Sequence, residues 1–167
     1  MFRRRKGGQR PDGNPMVELR LRALRADASD YGMEPTERFP HVFGVVMDTT
    51  YPNGVATLVA FADGTASLYT STGSGIIGGG GHPQVVRAGR ALLRAAEEQR
   101  SACVPDPSDE APPEGAVTIR LLTYAGRVAV TEEEVVLGEG HSALSEVFHA
   151  AHAVITELRQ IDEAARR

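Results

Sequence analysis

Residues 71–84, STGSGIIGGGGHPQ, hold the residue types in this chain that are best suited to bind an anion. The segment Gly73–Gly78 matches the string GxGxxG, and it lies between a predicted strand and a predicted helix. Glycines permit close backbone approach, and a helix N-terminus offers unpaired N–H groups and partial positive charge to a phosphate. Such a segment binds a dinucleotide, binds a simpler anion, or only joins a strand to a helix.

A dinucleotide site requires more than the glycine string. The strand before it ends a predicted antiparallel meander, whereas the motif belongs to a parallel βαβ unit. The acidic residue expected about twenty positions later should end a second parallel strand. In this chain, Glu97 and Glu98 lie within the predicted helix instead, and no Gly-Lys-Ser/Thr of a P-loop is present. The residues therefore argue against a nucleotide-binding fold.

A simpler anion site is compatible with the same segment. Three hydroxyls come from Ser71, Thr72 and Ser74, and His82 is expected to cap the following helix beside its free N–H groups. Arg87 lies one turn further along. Phosphate, a carboxylate or an acidic peptide are the expected ligands. The candidate ligand-binding residues are Ser71, Thr72, Gly73, Ser74, Gly75, Gly78, Gly79, Gly80, Gly81, His82 and Arg87.

Two other interpretations of the glycine stretch stay open. It is a flexible strand-to-helix connection whose Ile76 and Ile77 pack onto the core, or it is a lid or a partner-contact loop. The flexible connection is the preferred interpretation.

The histidines of the last predicted helix have a spacing that is compatible with metal binding. His149 and His152 are three residues apart, and Glu146 precedes His149 by three. However, His149 is expected to project away from the apolar stripe of the helix, and His152 is expected at the border of that stripe. Two surface histidines are the preferred interpretation, so neither a metal site nor a cofactor is predicted.

Candidate catalytic groups are few. Asp48 lies in a strand beside Thr49 and Thr50, where it acts as a general base or caps the turn at Tyr51–Gly54; the turn role is favoured. Ser74 lies between two glycines but has no identifiable base or oxyanion partner. No GxSxG, HExxH or Cys/His pairing is present. No catalytic residue is therefore predicted.

The hydrophobic pattern predicts the element order α-βββ-α-ββ-α. The first helix begins at Pro15 after the N-cap Asn14, with an apolar stripe that consists of Val17, Leu21, Leu24 and Ala28. Three β-rich runs, residues 41–51, 55–62 and 65–71, are separated by Asn-Gly and Asp-Gly turns, which predicts an antiparallel meander. In the first run, one face is expected to carry Phe43, Val45, Met47 and Thr49. The second helix is predicted over Pro83–Gln99, where Gly89 is expected to let the helix approach the sheet closely.

The second half of the chain predicts two more strands and a final helix. Residues 101–115 are rich in proline and acid and are expected to form a surface loop. Strands follow at 116–124 and 127–137, the second interrupted by the acids Glu132–Glu134. The last helix is amphipathic, with Ser142 as the expected N-cap. The predicted fold is α+β, with one five-stranded antiparallel sheet covered by helices.

The predicted architecture resembles that of profilin-like folds, including roadblock and longin domains. It is similar in its mixed plan of sheet and helices alone, because the element order of those folds differs and no sequence motif carries the resemblance. The resemblance therefore implies a layered α+β domain and no particular activity.

Charge is distributed unevenly along the 167 residues, whose net charge is −4. Residues 1–13 are expected to form a disordered basic arm, and residues 14–167 one domain. Residues 26–167 hold ten basic and twenty acidic residues. The basic cluster at residues 3–6 contacts a nucleic acid or an anionic membrane, docks on an acidic partner or on its own body, or is solvated.

The composition favours a cytoplasmic protein. The basic N-terminus is not followed by an apolar run, the longest apolar run is too short for a bilayer, and Cys103 is the only cysteine. The leading hypothesis is a non-enzymatic interaction or regulatory module, either a homodimer or a subunit of a larger assembly. The alternative is a phosphate- or carboxylate-binding sensor or enzyme that uses the Gly73–His82 loop, which requires His82 and Asp48 to converge on one pocket.

Overall fold

The computed structural model describes residues 13–167, so most of the predicted basic arm lies outside the described residues. The strands are β1 Val42–Tyr51, β2 Gly54–Phe61, β3 Ala66–Thr70, β4 Gly75–Ile76, β5 Val104–Pro105, β6 Ala116–Thr123 and β7 Gly126–Glu133. The helices are α1 Pro15–Leu24, α2 Pro83–Gln99, α3 Glu134–Gly138 and α4 Ser145–Ala165. The strands form one antiparallel sheet in the order β4-β3-β2-β1-β6-β7-β5. The predicted α+β class with an antiparallel sheet is therefore confirmed.

The prediction of five strands is wrong, because the sheet has seven. The two additional strands, β4 and β5, are two residues long and lie at the two edges of the sheet. A two-residue strand is too short to show the alternation by which strands are predicted. The predicted strand 127–137 is also too long: β7 ends at Glu133, and residues 134–138 form α3.

One face of the sheet is covered by α2 and α4, which also pack against each other. The largely aliphatic core between them includes Val45, Met47, Leu58, Leu92, Leu93, Ile119, Leu121, Val147, Val154 and Leu158. The bounds of α2 agree with the predicted ones. The predicted role of Gly89 is wrong: Gly89 is buried, but a Cβ there would meet no heavy atom of the described residues within 4 Å beyond the backbone of its own helix.

The other face of the sheet is also buried. It is covered by α1 and by residues 106–113, and its core consists of Ala23, Leu24, Ala28, Phe43, Val46, Val59, Tyr69 and Leu122. The expectation that Phe43 shares a face with Val45 is wrong, because a register shift between Val42 and Gly44 in the β1–β6 ladder moves Phe43 to the α1 side.

The predicted apolar stripe of the first helix is correct in part, because Leu24 and Ala28 are buried and Leu21 packs against the same cluster. Asn14 caps α1 as expected, because its side chain accepts a hydrogen bond from the Met16 N–H at 3.0 Å. However, Val17 is 43% exposed, whereas Ala23 and Arg20 face the sheet. Arg20 lies on the sheet side of the helix, where it pairs with Asp48 as described below.

Helix α4 begins at Ser145, two residues later than a Ser142 N-cap implies, and its N-cap is Leu144, so the predicted capping role of Ser142 is wrong. Ser142 still closes the turn before it, because its Oγ accepts the Leu144 N–H at 3.0 Å and Ser145 Oγ accepts the Ser142 N–H at 3.1 Å. Over residues 13–167, none of the helices combines the length and the apolar character needed to cross a membrane.

Candidate functional site

The first half of the glycine stretch is a hairpin. The chain turns at residues 71–74 and returns as β4, which pairs Gly75 with Tyr69 and Ile76 with Leu68. Thr70 Oγ1 closes the turn, because it lies 2.7 Å from Ser74 Oγ and accepts the Ser74 N–H at 3.1 Å. This segment therefore differs from the strand-to-helix turn of a βαβ unit.

The second half of the stretch packs closely against the body of the protein. A Cβ at Gly79 would lie 2.7 Å from Leu158 Cδ2, 2.9 Å from Val85 Cγ1 and 3.0 Å from the Ala66 carbonyl oxygen. Only glycine fits such a contact without a shift. Of the two isoleucines predicted to pack on the core, Ile76 does so, whereas Ile77 is 61% exposed.

The predicted anion ligands lie at opposite ends of β3. The hydroxyls of residues 71–74 follow its last residue, whereas Gly80 contacts Thr65 just before its first residue. A strand of this length spans about 15 Å. His82 and Arg87 lie on the Gly80 side, so the structure does not bring the hydroxyls and the cation to one ligand.

His82 occupies the N-cap position of α2 with extended backbone angles, and its ring is exposed. Its side chain forms no capping hydrogen bond with the described residues. The expected capping role is therefore wrong. Pro83 follows at the first helical position, where a missing N–H is harmless.

Asp48 is a buried ion-pair partner and does not cap the turn after β1. Its side chain is fully buried, and its Oδ2 accepts hydrogen bonds from Arg120 Nη1 at 2.6 Å and from Arg20 Nη2 at 2.7 Å. Thr57 Oγ1 donates to Oδ1. Both oxygens are thus occupied. Asp48 lies on the α1 side, whereas His82 begins α2 on the other side, so the two do not converge on one pocket.

The ion pairs continue into the Pro/Asp-rich loop. Arg120 Nε donates to Asp106 Oδ2 at 2.7 Å, and Arg120 Nη2 donates to the Glu110 carbonyl. Arg127 donates to Asp109 Oδ1 at 2.9 Å. We call Asp48, Arg120, Arg20, Asp106 and Arg127 the buried ion network. It holds residues 106–110 against one face of the sheet, because Arg120 pairs with Asp106 and Arg127 pairs with Asp109.

Two titrating groups near this region have shifted pKa values. Burial acts most strongly on Asp109 and alone would raise its pKa, but hydrogen bonds and charges from Arg127 and Arg25 outweigh it and lower the pKa. Burial raises the pKa of the Cys103 thiol to about 11. Cys103 therefore carries almost no thiolate at neutral pH, which makes it a poor nucleophile.

The two helical histidines differ in their surroundings. His149 is exposed, whereas the His152 ring lies edge-on to Phe148, with centroids 4.5 Å apart. Burial lowers the pKa of His152, and the charge of Glu134 acts in the opposite direction. Within the described part of the chain, no three His, Cys, Asp or Glu side chains are grouped so that they could hold a metal ion.

The outward side of α2 carries a row of cations. Arg87, Arg90 and Arg94 are exposed, and none pairs with a carboxylate of residues 13–167 within 4.0 Å. They line an open groove of about 480 Å³, together with Gly80, Gly81, Pro83, Val86 and Ala91. We call this surface the α2 arginine face. The three arginines are spaced three and then four residues apart in the sequence, which places them on one face of a helix.

The comparisons with known proteins assign no family to the chain. No family model, no curated protein and no solved structure matches it. No solved structure therefore supports the resemblance to profilin-like folds. The function has to be inferred from the geometry of the chain itself.

Proposed function

We propose that this chain is a protein-interaction module that binds an acidic segment of a partner protein on the α2 arginine face. The proposal depends on one observation, which is the row of three exposed arginines without carboxylate partners among the described residues. Like charges on successive turns of a helix repel each other, so an acidic partner relieves this repulsion and gains charge-assisted hydrogen bonds.

Two residues of types that often act in catalysis, Asp48 and Cys103, are poorly suited to it here. Asp48 has both oxygens bonded within the buried ion network, and the Cys103 pKa is raised to about 11. A general base must reach a substrate proton, and a nucleophile must be ionised or activated. These two residues meet neither requirement, which supports a binding role.

A protein partner fits the surface better than a nucleic acid or a membrane. The chain is acidic overall, with a net charge of −4, so a long polyanion would extend beyond the three arginines onto an acidic protein, whereas a short acidic segment would not. The row from Arg87 to Arg94 extends over about 10 Å of helix, which is enough for a short acidic segment. Aromatic side chains for base stacking are scarce, at 5% of the sequence.

Self-association and a cytoplasmic location remain parts of the proposal. The acidic body of a second copy offers carboxylates of the required charge, so a homodimer is the alternative occupant of the same face. Cys103 is the only cysteine, which is compatible with a reducing compartment.

Titration with a fluorescein-labelled octaglutamate peptide measures the affinity, and amide chemical shifts of the protein locate the binding site. Both are measured at about 0.15 M salt, where weak nonspecific attraction is screened. The expected result is saturable binding with shifts confined to residues 80–94. The triple variant Arg87→Ser/Arg90→Ser/Arg94→Ser should bind about tenfold more weakly or worse.

The matched control is Arg22→Ser/Arg38→Ser/Arg167→Ser, which removes the same charge from exposed positions elsewhere. It should stay within about threefold of the unmodified protein. Equal losses in both variants, or tighter binding of duplex DNA or anionic vesicles through the same arginines, would overturn the proposal. A dimer that the α2 triple variant converts to a monomer would identify a second copy as the occupant instead.

A second candidate function, which uses neither Asp48 nor the hydroxyls of residues 71–74, is the binding of a small phosphate or carboxylate compound at the start of α2. The groove lined by Gly80, Gly81 and Arg87 favours it, because a helix N-terminus and a guanidinium both attract anions. Inorganic phosphate that shifts the amides of residues 79–87 more strongly than the peptide does would favour this function over the first.

A further inference from the structure

A separate cleft lies between α4 and the ends of β1, β2 and β3. Its volume is about 180 Å³, and its polar lining comes from Tyr51, Asn53, Thr70, Thr72 and Arg159. This cleft is at the end of β3 that leads into the turn at residues 71–74, away from the α2 arginine face. Its lining includes Thr70, the last residue of β3, and Thr72 of that turn.

The register of the sheet explains why these side chains meet. Ala56 pairs with Thr49 on one side and with Thr70 on the other, and directly paired residues of antiparallel strands share a face. That face is the one covered by α4, because Leu58, two residues further along β2, contacts the α4 core. The small side chain of Ala56 leaves space above it, and Arg159 reaches this space from α4.

The polar groups of the cleft suit an anion. Arg159 is exposed and forms no ion pair with the residues that the structure describes. Thr72 Oγ1 lies 2.9 Å from Thr70 Oγ1, which in turn lies near the Ser74 carbonyl at 3.1 Å. When Thr70 donates to Thr72 rather than to Ser74, Thr72 accepts and keeps its own hydroxyl proton for a ligand.

Tyr51 is the second donor. Burial of the phenol raises its pKa, the charge of Glu134 raises it further, and Arg159 acts in the opposite direction. Tyr51 therefore keeps its proton at neutral pH and can donate a hydrogen bond. Glu134 is a negative charge that acts on this phenol, and it limits the affinity for an anion.

We propose that this cleft binds a small anion, a phosphate or a carboxylate group, with Arg159 as its charge partner and the Tyr51 and Thr72 hydroxyls as donors. The planar guanidinium matches both kinds of oxyanion through paired hydrogen bonds. Pockets for drug-sized ligands have volumes of roughly 300–1,000 Å³, so this cleft suits a single ionised group. The site goes beyond the proposed function, because it uses other elements and other residues.

The test follows amide shifts of the whole protein during titration with sodium phosphate and, separately, with sodium acetate, at an ionic strength held constant with sodium chloride. The expected result is saturable shifts at residues 53–56 and 70–72, with a dissociation constant of about 1–10 mM. Arg159→Met should weaken binding about tenfold, and Tyr51→Phe severalfold. Arg166→Met is the matched control, since Arg166 is another exposed arginine just past the last residue of α4, and it should stay within about twofold.

Saturation by phosphate alone assigns the cleft to phosphate, and saturation by acetate alone assigns it to carboxylates; both results support the site. Shifts that do not saturate by about 50 mM of either anion, or that persist unchanged in Arg159→Met, would overturn it. The α2 triple variant should leave these shifts unchanged, so failure here is distinguishable from failure of the proposed function.

Discussion

Asp48 of β1 and Arg120 of β6 form an ion pair at 2.6 Å, and neither side chain is more than 2% exposed. The Cα register pairs Asp48 with Thr118 and Val46 with Arg120, so the two charged side chains are diagonal neighbours on the α1 side of the sheet. The same side also carries the apolar cluster of Phe43 and Val59. A charged pair and an apolar cluster thus share one buried face, and α1 and residues 106–113 cover both.

Removing the negative charge of this pair should destabilise the fold strongly. Asp48→Asn leaves the Arg120 guanidinium buried with only Asp106 as a carboxylate partner. The expected loss is about 3–5 kcal/mol in the free energy of unfolding, measured by urea titration. The exposed Asp30→Asn is the control and should change stability by less than about 0.5 kcal/mol. A loss below about 1 kcal/mol for Asp48→Asn would show that the buried ion network is not needed for stability.

Glu97 of α2 should be important for stability because it binds the backbone at the start of β1. Its Oε1 accepts the backbone N–H groups of His41 and Val42, both at 2.7 Å, at the start of β1. Glu97→Ala leaves both donors without this acceptor, so we expect a loss of about 1–3 kcal/mol. Its neighbour Glu98 is exposed, and Glu98→Ala should be nearly neutral. Equal effects of the two substitutions in thermal unfolding would contradict this role.

Gly89 and Gly79 should respond to alanine in opposite directions. A Cβ at Gly89 has open space, so Gly89→Ala should stabilise the protein by about 1 kcal/mol through helix propensity. A Cβ at Gly79 would lie within 3.0 Å of three neighbouring atoms, so Gly79→Ala should destabilise it by about 1–3 kcal/mol. Urea unfolding of the two variants side by side checks both signs. Destabilisation by Gly89→Ala would show that α2 does need glycine there.

His152 should make stability depend on pH. Because its folded pKa lies below the unfolded value of about 6.5, the unfolded state binds more protons as the pH falls. Stability is therefore fully present above about pH 6.5 and decreases as the pH falls towards the folded pKa. His152→Gln should flatten the pH profile of urea unfolding between about pH 7 and 5, whereas His149→Gln should not. An unchanged slope in His152→Gln would assign the pH dependence to other groups.

The sequence allowed the meander and α2 to be predicted, because turn residues and helical periodicity are local signals. Asn53-Gly54 and Asp63-Gly64 lie in the two hairpins, and Pro83 begins α2. The two edge strands were missed, since a two-residue ladder depends on the tertiary fold rather than on a repeating pattern. Likewise, nothing local to Asp48 shows that Arg120, distant in sequence, would reach it.

The sequence also holds a signal for the second buried face of the sheet. Thr118 and Arg120 alternate with apolar residues in β6, yet Val46 and Val59 on the corresponding faces of β1 and β2 are apolar and buried. Apolar residues on both faces of a strand indicate a sheet that is covered on both sides. That signal predicts a second layer over Arg120 and hence a paired charge. The sequence indicated part of the α2 arginine face, because Arg87 was a candidate ligand-binding residue. Arg90 was not among those candidates.

The α2 arginine face is tested most directly by a photo-crosslinking residue at Ala91, which is exposed among the three arginines, in the native cell. The proposed function predicts a crosslinked partner protein whose attached peptide is acidic, with the product lost in Arg87→Ser/Arg90→Ser/Arg94→Ser. The same crosslinker at Ala153, exposed on α4, should not yield this product. A product that persists in the triple variant, that forms equally from Ala153, or that contains nucleic acid would contradict the proposed function.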